Sequence, residues 1–74
     1  MDKAIYEVFL QDGRWRVTTE DRAREWGSFP SREMALAEAK LLADATLPSE
    51  VVVHGNDGTV EKQYRHRRRP VRHD

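Results

Sequence analysis

Apolar positions follow two periods along this chain, and the change from one to the other sets out the predicted elements. Ala4 to Leu10 (AIYEVFL) is apolar on both sides of a pleat, with Tyr6, Val8 and Leu10 facing one way and Ile5 and Phe9 the other, as in a strand inside a sheet. Asp12-Gly13 supplies a tight turn. Arg14 to Thr19 then alternates, Trp15 and Val17 against Arg14 and Arg16, as a half-exposed strand does. Trp26 to Phe29 predicts a short third strand that Gly27 weakens and Pro30 ends. Glu50 to His54 and Thr59 to Tyr64, joined by Gly55-Asn56-Asp57-Gly58, predict a second hairpin in which Val60, Lys62 and Tyr64 share a face.

Between the hairpins the period becomes helical over Ser31 to Thr46 (SREMALAEAKLLADAT). Ser31 is a suitable N-cap, Glu33 suits the positive end of the dipole, and Pro48 disfavours helical geometry at Leu47. Ala35, Leu36, Ala39, Leu42 and Ala43 fall on one face, where the alanines allow close approach to a sheet. Leu42→Ala is expected to be among the most damaging helix substitutions, at about 2–5 kcal/mol. Glu33, Lys40 and Asp44 form a charged ridge, on which Lys40→Ala is expected to be silent. Met34, Leu41 and Ala45, with Ala37 nearby, form a second apolar stripe. Its first reading is a wide buried face lapping over the sheet edge, and its alternative is a protein-contact surface. The predicted fold is therefore α+β with two layers: an antiparallel or mixed sheet of four to five short strands, with one helix packed on one face.

The spacing Tyr6-x-Val8, Asp12-Gly13-x-Trp15-x-Val17, Phe29-x-Ser31, Ala35-xxx-Ala39-xx-Leu42-Ala43 and Glu50-x-Val52-x-His54-xx-Asp57-Gly58-x-Val60 resembles a family of small bacterial proteins known as domain of unknown function 2188. The resemblance covers roughly residues 5–64 and rests on turn glycines, core aliphatics and helix alanines. It implies a fold and no activity. The charged run Glu20–Glu25, read as a solvated loop, and the arginines after Tyr64 stand outside the pattern.

Seventy-four residues allow one small domain and no large enclosed active site. The chain has no cysteine, so neither a disulfide nor a cysteine-based zinc site is available, and no apolar run approaches the length of a signal core or membrane span. A cytoplasmic setting is expected. The net charge of zero is unevenly placed: an acidic body over residues 1–64 precedes a basic segment over 65–74, expected to be a disordered tail.

No catalytic, cofactor or metal motif stands out. His54, Asn56 and Asp57 lie together at a hairpin end, but zinc would need His66 and His73 as well, and turn chemistry accounts for the cluster. Ser28, Ser31 and Ser49 read as loop or cap residues, and no glycine-rich phosphate loop precedes the helix. Neither an enzyme, a cofactor nor a small-molecule substrate is expected.

Two binding readings stay open. In one, the chain is a small adaptor acting through a protein–protein surface at Met34, Leu41 and Ala45, as a homodimer or on a larger protein. In the other, it associates with nucleic acid through Arg65, Arg67, Arg68, Arg69 and Arg72. Arg14, Arg16 and Lys62 could add to that second surface on a sheet face shared with Trp15, Trp26, Tyr64 or Phe9.

Overall fold

The computed structural model describes residues 3–67. Strands β1 (Ala4–Gln11), β2 (Arg14–Thr19) and β3 (Glu25–Phe29) are followed by helix α1 (Arg32–Asp44) and by strands β4 (Ser49–His54) and β5 (Val60–His66). The sheet order is β3-β2-β1-β4-β5. All neighbours are antiparallel except β1 and β4, which run parallel. The sheet is thus mixed, and the fold is a two-layer α+β structure with the helix across one face.

The strand read as apolar on both sides is the central one. Tyr6 and Val8 point at the helix and join Val17, Val51 and Val53 with Ala35, Ala39 and Ala43 in the core, while Phe9 is buried on the opposite face. Asp12 and Gly13 both take positive φ, 52° and 77°, which closes a two-residue hairpin with Gln11 opposite Arg14.

Helix α1 starts where the sequence predicts, with Ser31 Oγ accepting from the Met34 N–H at 3.2 Å. Its fully buried positions are the three alanines, four residues apart, so the helix backbone lies close on the sheet. Leu36 and Leu42 flank that line and are only partly buried against the core. Tyr6 anchors the other end of the interface: its ring meets Trp26 edge-on at 5.3 Å, and its hydroxyl donates to Thr46 Oγ1 at 3.1 Å.

Several expectations are corrected. The stripe at Met34 and Leu41 does not lap over the sheet edge: these side chains are 53% and 66% exposed, and Ala45 is exposed as well. At 100° per residue they lie about 120–160° round the helix from the line of buried alanines, on its outward side and beyond the reach of the five strands. Val60 does not share a face with Lys62 and Tyr64. The register shifts between Val53 and His54, so Lys62 and Tyr64 pair with Val53 and Val51 while Val60 pairs with His54. One extra residue reverses the pleat parity. Strand β5 also runs two residues past Tyr64, so Arg65 and His66 belong to the sheet. Residues 68–74 of the expected tail lie outside the described residues.

Candidate functional site

The face of the sheet away from the helix carries the side chains that alternate with the core positions. Glu7 and Phe9 come from β1, Arg14, Arg16 and Thr18 from β2, Glu50, Val52 and His54 from β4, and Gln63 and Arg65 from β5. Basic and aromatic groups do not form a stacking platform there. Trp15, Trp26 and Tyr64 pack towards the core on the helix side, and the register puts the exposed Lys62 on that side as well. Phe9 is the aromatic left, and the Arg22 guanidinium covers its ring at 4.0 Å. The charged loop thus folds one of its arginines over the sheet. Asp21 shapes that loop, with a carboxyl held below the ordinary range by the Thr19 hydroxyl and then the Ala23 N–H.

The two sequence candidates on β2 are engaged within the fold. Arg16 Nη1 meets both carboxylate oxygens of Glu25 at 2.9 and 3.1 Å, and Arg14 donates to the Ser28 hydroxyl at 3.0 Å. Both contacts pin β2 to β3. His54 also serves the fold: its Nε2 lies 2.7 Å from Glu7 Oε1, and its Nδ1 donates to the Gly58 carbonyl at 3.1 Å. The β4–β5 turn is thereby tied to the central strand. Asp57 completes that turn, its carboxyl held below the ordinary range by the Thr59 hydroxyl and then the Thr59 N–H. Among the described residues no three His, Asp or Glu side chains are placed to hold a metal ion.

On the helix side, charged groups bridge α1 to β5. Arg32 pairs with Glu61, Lys40 Nζ stands 4.2 Å from the Tyr64 ring centre, and His66 Nδ1 lies 2.7 Å from Asp44 Oδ1. The outward side of the helix carries the exposed Met34 and Leu41 with Ala37 and Ala45.

The basic residues gather at the end of the sheet where β1 and β4 begin and β5 ends. Lys3, Glu50, Arg65, His66 and Arg67, with Pro48, line a groove of about 390 Å³. Lys3 Nζ lies 2.6 Å from Glu50 Oε2, and the Glu50 carboxyl is drawn below its ordinary value by that hydrogen bond; burial opposes the shift, and the charges of Lys3 and Arg65 add to it. Glu50 was read from sequence only as the start of a strand. Lys3 carried no signal, because its proximity to Arg65 arises only once β4 pairs with both β1 and β5. Arg68, Arg69 and Arg72 lie outside the described residues.

A family model described as an uncharacterized protein conserved in bacteria, DUF2188, matches residues 6–66. The chain belongs to the DUF2188 family. The match takes in all five strands and the helix, so the DUF2188 pattern corresponds to the whole two-layer unit. It includes the Glu20–Glu25 loop that the resemblance had left out, and it ends before Arg67. No curated protein and no solved structure matches the chain. No helix among the described residues is long and apolar enough to cross a membrane.

Proposed function

We propose that this DUF2188 chain is a small, non-enzymatic binding module that works in the cytoplasm through the exposed apolar flank of α1. The observation that carries the reading is the exposure of Met34 and Leu41, two turns apart on one side of a helix whose core contacts are complete without them. Large apolar side chains gain little stability in water, and a contiguous set of them is the ordinary mark of a contact surface. The alanines at 37 and 45 would let a partner helix or strand come close.

Sedimentation velocity over a rising concentration series tests self-association, with Met34→Glu and Leu41→Glu as the paired controls. A concentration-dependent dimer abolished by either substitution is the expected result. A wild type that stays monomeric throughout removes the homodimer form of the proposal, and a dimer indifferent to both substitutions moves the contact to a sheet edge.

The second reading is association with nucleic acid through Arg65, Arg67, Arg68, Arg69 and Arg72. What favours it is that Arg65 and Arg67 are exposed at the groove that Lys3 shares. A mobility-shift assay on the full chain across a salt series separates it from the first reading, because counterion release makes such binding steeply salt-dependent.

A further inference from the structure

We propose that the groove formed by Lys3, Arg65 and Arg67 around Glu50 takes backbone phosphates of single-stranded nucleic acid. The inference rests on the nucleic-acid reading above and moves its first contacts from the arginine run to the folded sheet. Lys3 lies far in sequence from Arg65 and Arg67, yet the parallel pairing of β1 with β4 and the antiparallel pairing of β4 with β5 bring all three cations to one corner. Glu50 is paired on both sides, opposite Ile5 of β1 and Arg65 of β5.

Glu50 is only 7% exposed, and it accepts from Lys3 while lying within the field of Arg65. A lysine ammonium carries three donors, of which Glu50 takes one. Lys3 is therefore held at the groove with donors left to meet a phosphate, and its side chain is half exposed to receive it. Arg65 and Arg67 are alternate residues of an extended segment, placing them about 6–7 Å apart along the chain. In sequence these are followed by Arg68, Arg69 and Arg72, a basic run whose composition suits a run of single negative charges. A phosphodiester strand presents such a run, with no apolar anchor needed.

The carboxylate of Glu50 also repels phosphate. Replacing it with glutamine keeps an oxygen for Lys3 and removes the charge, so binding should tighten, whereas loss of either arginine should weaken it. Opposite signs from two neighbours in one groove cannot come from a general loss of folding.

The test is fluorescence anisotropy of a labelled, mixed-sequence single-stranded DNA with the full chain, titrated from low to moderate salt. Each of Arg65→Gln and Arg67→Gln should lower the magnitude of the slope of log K against log salt by about 0.7. Glu50→Gln should bind several-fold more tightly at low salt. Arg14→Gln, at the opposite end of the sheet and bonded to Ser28, should leave the slope where it is. Thermal melts confirm that each variant is folded. If changing Arg68, Arg69 and Arg72 together to glutamine removes binding while Arg65→Gln, Arg67→Gln and Glu50→Gln do not alter it, the groove is overturned and the arginine run alone carries the nucleic-acid reading. If the wild type shows no salt-dependent binding, both are overturned.

Discussion

Lys40 Nζ stands 4.2 Å from the centre of the Tyr64 ring, joining the middle of α1 to the edge strand β5. The sequence places Lys40 on a solvated ridge, but β5 lies under that ridge, and Tyr64 reaches it because its register with Val51 points it to the helix side. Lys40→Ala should therefore cost about 0.5–1 kcal/mol, more than a lysine on an open helix surface. A double-mutant cycle with Tyr64→Leu in chemical denaturation checks it. A coupling energy indistinguishable from zero would show that the contact contributes nothing.

The line of buried alanines makes a contrary demand on size. Ala39 is fully buried between helix and sheet, so Ala39→Leu has no room without moving the helix away and should destabilise by about 1–3 kcal/mol despite adding apolar surface. Leu42 is partly buried, so Leu42→Ala should fall at or below the low end of the range for core leucines, about 2 kcal/mol. Denaturation midpoints of the two variants rank them. A stabilised Ala39→Leu would mean that the interface is looser than the structure has it.

What could be read from residues alone was whatever local chemistry decides. Ser31 caps a helix by its own hydroxyl, Asp12-Gly13 closes a hairpin by its own φ angles, and the two-sided apolar run of β1 marks a central strand wherever its neighbours lie. What could not be read depends on pairing. The bulge opposite His54 puts Val60 and Lys62 on opposite faces, and the parallel β1–β4 ladder brings Lys3 to Glu50. The stripe of Met34 and Leu41 is visible in the same periodicity, and its exposure follows from its place across the helix from the buried alanines. Arg65 and Arg67 stood out by composition, yet their groove is completed by a lysine and a glutamate with no motif of their own.

Ser49 closes the junction between the helix and β4. Its hydroxyl is buried and donates to the Ala43 carbonyl oxygen at 2.6 Å, a second donor to that last-turn acceptor beside the Thr46 N–H. Ser49→Ala should leave that carbonyl with the Thr46 N–H alone and cost about 0.5–1.5 kcal/mol. Equilibrium denaturation reads the loss, and amide exchange at Ala45 and Thr46, whose N–H groups bond back to Leu41 and Ala43, should accelerate with it. Unchanged exchange at these two amides would place the cost elsewhere.

Glu50 makes stability depend on pH in a defined direction. Its carboxyl is held below the ordinary glutamate value of 4.5, first by the Lys3 hydrogen bond, so the charged form is the one that the fold favours. A depressed folded value means that the pair's contribution is whole above the unfolded value and is lost as pH falls through the folded one. Asp21 and Asp57 shift in the same direction and add to the loss of stability in acid. The Glu50 part is therefore isolated by comparing the wild type with Lys3→Met. Removing the ammonium takes away the largest cause of the shift and leaves burial opposed by the charge of Arg65. The difference in denaturation midpoint should be largest above the ordinary glutamate value of 4.5 and shrink as pH falls below it and the carboxyl takes up its proton. A difference that stays constant across that window would mean that Lys3 acts through packing alone, with no stabilising charge on Glu50 behind it.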